Sequence, residues 1–283
     1  MKTENFLIIG GTGKTGRRIV ARLEALGHNV RIGSRSTEPA FDWHAPENWM
    51  KALEGMDKVY ITYQPDLAVP GALEAIEELV RQSKRANIKK LVLLSGKGER
   101  EAQLCEQLVI HSGIDYTIVR ASWFNQNFSE NFLLEPILEG FVALPQAEVK
   151  IPFVDANDIA DVAVAALLNE KHNGQIYQLT GPRQLTFQEA ILEIVEGTGR
   201  EIQFIPISIQ AYGNTMRTHG LPEDFVWLIE YLFTEVLGNP STSEITHDIE
   251  KVLGRMAVDF SDYVKETVKT GVWDAKVILA KNN

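Results

Sequence analysis

The chain has 283 residues, 45% of them hydrophobic and 23% charged, and a net charge of −10 with no clustered run of Lys or Arg. These values fit a folded α/β domain, alone or with a smaller appendage, and exclude nucleic-acid binding by bulk electrostatics. Cys105 is the single cysteine, which excludes an internal disulfide and a multi-cysteine metal site. The histidines at 28, 44, 111, 172, 219 and 247 form no H-x-x-x-H pair, so no metal is expected. The start, MKTENFLIIGGTG, enters a strand directly, and no apolar stretch approaches the roughly 20 residues of a membrane span. A cytoplasmic protein without membrane contact is expected.

Short apolar runs and helix-period segments alternate along the first 180 residues. Strands are expected at 6–9, 29–33, 58–63, 90–95 and 115–120, with helices at 14–26, 46–54, 71–86 and 99–112. Nearly continuous apolarity in the strands means that both sheet faces are covered. The expectation is a doubly wound parallel sheet. Cys105 reads as a small apolar filler in the 99–112 helix, and GALEAIEELVRQSKR (71–85) as a helix with a solvated acidic face. A further helix is expected at 157–169, capped by Asp155 or Asn157, and a further strand at 175–180.

From about 184 the pattern becomes helix-rich with little strand, punctuated by Pro182, Pro206, Pro222 and Pro240. The reading is two domains: 1–183, a dinucleotide-binding sheet domain, and 184–283, a mostly helical cap over the carboxyl ends of the strands. The last helix, within DFSDYVKETVKTGVW, is a candidate to return to the first domain.

IIGGTGKTGRRIV (8–20) contains Gly-Lys-Thr, but a nucleoside-triphosphate loop would need glycine where Ile8 stands. Gly10, Gly13 and Gly16 fit a dinucleotide loop instead, between a strand and a helix. Bare backbone there lets the chain turn tightly while helix amides face a pyrophosphate. The plain alternative is a tight turn that serves only packing. In RIGSRS (31–36) the second strand ends on Ser34 and Arg35, with no carboxylate until Glu38. A carboxylate there would suit the 2′-hydroxyl of NAD, whereas a guanidinium suits a 2′-phosphate. NADPH is therefore expected and NADH disfavoured, with Arg31 and Lys14 as further cations; an ordinary solvated Arg35 is the alternative. In FDWH (41–44), read as following another short strand, Asp42 is a candidate for the adenine amino group and Trp43 for packing beside it. A strand-end Asp and a core Trp are the alternative.

IIGGTGKTGRRIVARLEALGHNVRIGSRS, YTIVRASWFNQNF (116–128) and VDANDIADVAVAALL (154–168) together resemble the NmrA-like branch of the atypical short-chain dehydrogenase/reductases. Within it the similarity is greatest to the festuclavine/agroclavine dehydrogenase type of ergot-alkaloid reductases and its bacterial relatives. The resemblance runs from residue 5 to about 180 and more loosely beyond. It implies NADPH-dependent reduction of quinones, azo dyes, triphenylmethane dyes or iminium alkaloids, or else a dinucleotide-binding regulator that turns nothing over. The family's cofactor pattern falls on Gly10, Thr12, Gly13, Lys14, Thr15, Gly16, Ser34 and Arg35. Gln64 and Pro65 match the segment that lines the cofactor after a central strand, and Ser95 and Gly96 match the strand end beside the nicotinamide.

Typical short-chain dehydrogenases carry Tyr-x-x-x-Lys after that strand, the Tyr handling the proton and the Lys lowering its pKa. From Ser95 to Gly113 this chain has no tyrosine, and Lys97 has no partner at that spacing. No catalytic residue is assigned. One reading is a reductase of acceptors that take hydride without an acid, aligned by position alone. The other is an NADP(H) sensor that acts on a protein partner; a homo-oligomer stays open under both. ASWFNQNF follows the 115–120 strand and faces the same edge. Trp123 and Phe124 are expected as an apolar wall, or as core. Asn125 is a candidate for a substrate oxygen or the loop backbone, and Asn127 for a substrate contact or a helix cap.

Overall fold

A computed structural model of the protein describes residues 4–274. The outermost residues of the two expected domains, 1–3 and 275–283, lie outside them. Strand β1 (Asn5–Ile9) passes through a loop into α1 (Gly16–Ala25) and β2 (Asn29–Gly33). Then come α2 (Trp49–Leu53), β3 (Lys58–Ile61), α3 (Ala72–Arg85), β4 (Lys90–Gly96), α4 (Arg100–Ile110) and β5 (Asp115–Ala121). Two short helices, α5 (Asn127–Glu130) and α6 (Leu134–Glu139), lead to β6 (Phe141–Leu144), α7 (Ala156–Leu168) and β7 (Gln175–Leu179). The remainder is α8 (Phe187–Thr198), β8 (Gln203–Pro206), α9 (Ile209–Thr218), α10 (Glu223–Tyr231), α11 (Asp248–Leu253) and α12 (Phe260–Val268).

Six strands form a parallel sheet in the order β2-β1-β3-β4-β5-β7. The doubly wound reading holds, because alternate residues feed cores on opposite faces. Phe6, Ile8, Tyr60, Val92 and Val119 pack against α1 and α7, while Leu7, Ile9, Val59, Ile61, Leu91 and Leu93 pack against α2, α3 and α4. Cys105 is buried in the second of these cores. The chain steps from β1 to β2 on one side and to β3 on the other, so the order reverses between β1 and β3. Crevices at such reversals are where open α/β sheets hold ligands.

A third core draws on two separate stretches, 128–153 and 185–273. It is aromatic: Phe128, Phe153, Phe187 and Phe260 meet at centroid separations of 5.2–6.4 Å. Two elements there depart from expectation. Strands β6 and β8 pair in parallel as a small second sheet, and α10 runs into a π-helical turn, Leu232–Val236. Each strand has only four residues and β8 is largely exposed, which leaves no periodic signal. Of the final helices, α11 lies on α7 and β7, whereas α12 lies along α8.

Local chemistry explains the helix starts. Asp155 caps α7, its Oδ1 accepting from the Asn157 amide at 2.7 Å, and Thr186 with Glu189 forms a capping box on α8. The expected 46–54 helix is split into a 3-10 turn at Pro46–Asn48 and α2. No described helix is long and apolar enough to cross a membrane.

Candidate functional site

All six parallel strands end at one edge, and the loop after β1 lies at the reversal. Gly10 has φ +71°, and a Cβ there would stand 2.3 Å from Thr62 Cγ2. Its amide donates to the Gly33 carbonyl at 2.8 Å, and the Gly13 amide donates to the Gly10 carbonyl at 2.8 Å. A Cβ on Gly16 would lie 2.1 Å from the Gly10 oxygen, so the helix meets the turn only because glycine stands there. The amides of Thr12, Lys14, Thr15 and Gly16 find no acceptor among the described residues, and Thr12 and Gly13 are exposed. Unanswered amides at a helix start fit an anionic group. A packing turn alone would leave them without purpose. The Thr15 hydroxyl is turned inward, where it accepts from the Tyr60 hydroxyl at 2.9 Å, so only its backbone faces the cleft.

At the end of β2, Arg35 is exposed and has no partner among the described residues. The Ser34 and Ser36 hydroxyls lie 3.0 Å apart, and the Ser36 amide donates to Ser34 Oγ at 3.2 Å. Arg31 does not join them. Its guanidinium donates to the carbonyls of Ala52 and Glu54, each at 2.8 Å, where it answers the exposed end of α2. The segment around Asp42 is loop, with no strand before it. Asp42 Oδ1 accepts from the His44 amide at 3.0 Å. Trp43 packs against Phe41, Trp49 and Tyr63 at 4.6–5.4 Å, half-buried in an aromatic cluster.

Beyond β5 the chain returns to the loop. Lys14 Nζ donates to Asn127 Oδ1 at 2.9 Å and lies 5.5 Å from the centre of the Phe124 ring. Burial lowers the Lys14 ammonium pKa to about 8, against the pull of Glu130. Glu130 itself pairs with Arg17 at 2.5 Å and Arg18 at 2.7 Å. Asn127 is the first residue of α5 rather than its cap. Trp123 meets Phe187 and Phe233 edge-on at 5.5 and 5.1 Å, part of the cap core. Asn125 is fully buried and donates to Asp155, not to the cleft.

At the end of β4, Ser95 turns away from the cleft. Its hydroxyl donates to Glu106 Oε1 at 2.6 Å, and Glu106 pairs with Arg120 at 2.5 Å. Lys97 Nζ donates to the carbonyls of Ser241, Thr242 and Glu244 at 2.8–3.0 Å. Gly96 faces a carboxyl: a Cβ on it would stand 1.8 Å from Glu99 Oε1. Gln64 and Pro65 are exposed at the neighbouring end of β3.

The comparisons with known proteins address this same loop and sheet. A family model described as NAD(P)H-binding matches residues 10–170, more than half of the chain. The chain belongs to this NAD(P)H-binding family. The match spans the loop of unanswered amides and four of the six parallel strands, β2 to β5, which fits the geometry above. This NAD(P)H-binding chain is 29% identical to prestalk A differentiation protein A of Dictyostelium discoideum, covering 93% of this chain and 92% of the relative. It is 26% identical to festuclavine dehydrogenase easG of Aspergillus fumigatus, covering 92% and 96%, in line with the resemblance read from the motifs. Among solved structures it is similar to the NADPH-dependent quinone oxidoreductase QOR2 of Escherichia coli complexed with NADPH. The TM-score is 0.76 at 18% identity, over 93% of this chain and 99% of the other.

Sequence reasoning missed two groups at this edge of the NAD(P)H-binding fold. Ser36 completes the hydroxyl pair with Ser34, and only its place in RIGSRS could have suggested it. Asp66 and Glu99, in the loops after β3 and β4, bring their carboxyls into hydrogen-bonding contact. No spacing rule connects two loop residues, so nothing in the sequence pairs them.

Proposed function

We propose that the protein is an NADPH-dependent reductase that passes hydride to a small electrophilic organic acceptor, an iminium, a quinone or a comparable unsaturated compound. The observation that carries this reading is the set of unanswered amides at 12 and 14–16, together with a guanidinium, Arg35, that has no partner among the described residues. The amides of Thr12, Lys14, Thr15 and Gly16 would hold the pyrophosphate, with Gly10 and Gly13 giving the close approach. Arg35, with Ser34 and Ser36, would hold the 2′-phosphate, which a guanidinium grips through two parallel bonds. Gln64, Pro65 and Gly96 would border the dinucleotide, and Asp42 and Trp43 its adenine end. Bound NADPH supplies the hydride from its nicotinamide ring. Phe124 and Trp123 would wall the acceptor's side and exclude water, and Asn127, held by Lys14, would orient it. The dehydrogenase and quinone oxidoreductase among the similar proteins support a reduction of this kind.

The test is NADPH oxidation by the purified protein across quinones, cyclic imines and azo dyes, with matched NADPH and NADH titrations. Saturable turnover that favours NADPH is expected. Tight NADP(H) binding with no turnover on any acceptor would instead favour a sensor that acts on a protein partner.

Lys14 adds a pH signature. Its ammonium loses charge as pH rises through about 8, so its attraction for the cofactor phosphates is present below that value and lost above it. NADPH affinity should fall about twofold to fivefold between roughly pH 7 and 9, one surface-type ion pair's worth. Lys14→Met should flatten that slope in a fluorescence titration, and a slope unchanged by the substitution would remove Lys14 from the phosphate site.

A further inference from the structure

The chain lacks the tyrosine that usually handles the proton, yet a different acid stands at the same strand end. Glu99 is nine-tenths buried, and its carboxyl lies directly over Gly96, where any side chain but glycine's would collide with it. The described residues offer this carboxyl no cation and no backbone amide. Lys97, two residues away, points its ammonium at three carbonyls of 241–244. Its polar contact is the carboxyl of Asp66. Asp66 is half-buried beside the exposed Gln64 and Pro65, and its Oδ1 accepts from the Ala68 amide at 2.8 Å. Two carboxyls in contact in a desolvated place do not both ionise, and the favourable arrangement is one proton between two oxygens.

We propose that Asp66 and Glu99 share one proton and deliver it to the heteroatom of the acceptor as hydride arrives. The proposal deepens the reductase reading and rests on it. In a quinone or azo acceptor, reduction adds two electrons with the hydride and leaves a negative charge on oxygen or nitrogen. The acid O–H bond breaks and a new O–H or N–H bond forms there. NADPH becomes NADP+, the pair is left doubly ionised, and water returns the proton before the next turnover. An iminium needs no such proton, because hydride alone neutralises it. The pair therefore favours acceptors that must gain a proton, a class that position alone serves poorly.

The surroundings hold the proton in place. Burial pushes both carboxyls above their usual range, and the negative charge of Glu101 on α4 adds to the effect at Glu99. Glu101 accepts a short hydrogen bond from the Tyr231 hydroxyl on the cap, and Glu106 is neutralised by Arg120. Cys105, Glu74 and Tyr63 are further ionisable groups nearby, burial pushing the Cys105 thiol up to about 12 and the Tyr63 phenol up as well.

Glu99→Gln and Asp66→Asn keep the shape of the pair and remove its acid. With a quinone, each should lower kcat about a hundredfold, the usual share of a positioned acid. With a cyclic iminium the rate should change less than about twofold, and NADPH affinity should not move, since no proton is transferred in either. The wild-type quinone rate should fall at high pH as the pair loses its proton, and that limb should vanish in Glu99→Gln. Retained iminium turnover shows that the variants are folded. Quinone rates at the wild-type level with the limb intact would overturn the proposal and leave the reductase reading standing. Carbon-13 carboxyl spectra of the NADPH-loaded protein give a second readout, in which one carboxyl of the pair should stay neutral well past the usual carboxylate range. Both carboxyls ionising in that range would overturn the proposal whatever the turnover. No turnover by the wild type on either acceptor would overturn the reductase reading, and the proposal with it.

Discussion

Arg35→Glu is expected to weaken NADPH binding about a hundredfold and to leave NADH binding unchanged or a few-fold tighter, as judged from hydrogen bonds to charged groups. The guanidinium is exposed and has no partner among the described residues, so nothing in the fold depends on it. Stability should stay within about 0.5 kcal/mol of the parent, as for other surface substitutions away from caps and buried pairs. The whole effect then falls on the cofactor. A charge-assisted contact to the 2′-phosphate is lost, and a carboxylate facing that dianion repels it. The same carboxylate can accept from the 2′-hydroxyl of NADH, which is how acidic residues at this strand end select that cofactor. Paired titrations of the two cofactors read the switch directly. An unchanged preference would mean that the 2′-phosphate lies elsewhere, and the reading of RIGSRS would fail.

Arg120→Met should cost about 3–5 kcal/mol of folding stability, the usual penalty for orphaning one member of a buried ion pair. Glu106 has no solvent exposure, and Arg120 is its only cation among the described residues. The guanidinium donates from Nε at 2.8 and 3.0 Å and from Nη2 at 2.5 Å, and Ser95 adds one bond at 2.6 Å. With methionine in place, the carboxylate keeps only the serine. Chemical denaturation should show the loss, and adding Glu106→Gln in the same chain should restore much of it by removing the stranded charge. A single variant as stable as the parent would mean that water reaches Glu106. Because Ser95 and Arg120 sit on β4 and β5, the damage should also loosen the edge where Gly96 lies, and NADPH affinity should fall alongside stability.

The parts of the site visible in the sequence are those that the backbone imposes. Gly10 and Gly16 are visible because a turn this tight leaves no room for a Cβ at either, Gly13 because it completes their spacing, and Arg35 because it stands at the strand end where no carboxylate does. Lys14, Phe124 and Asn127 each attract attention from local context, but their meeting joins positions far apart in the chain and needs the fold to be seen. The orientation of Ser95 is legible from strand geometry. Strand side chains alternate, so Ser95 shares a face with Leu91 and Leu93, which pack toward α4. That parity already turns its hydroxyl from the cleft. The doubly wound sheet is legible throughout, since its strands are apolar and its helices amphipathic. The β6–β8 ladder is not, since each strand takes its meaning from the other.

The aromatic core of the cap carries a consequence for how specificity in such a protein can be altered. Phe128 and Phe153 come from the chain between β5 and α7, while Phe187, Phe233 and Phe260 come from beyond β7. Cutting the chain near 183 would therefore strip the first pair of their neighbours and leave a greasy surface on the sheet domain. A graft of the C-terminal hundred or so residues from a relative would import half of a jigsaw. Changing the acceptor by recombination calls for three junctions, one between β5 and α5 and one on each side of the α7–β7 segment, so that both halves of that core arrive together.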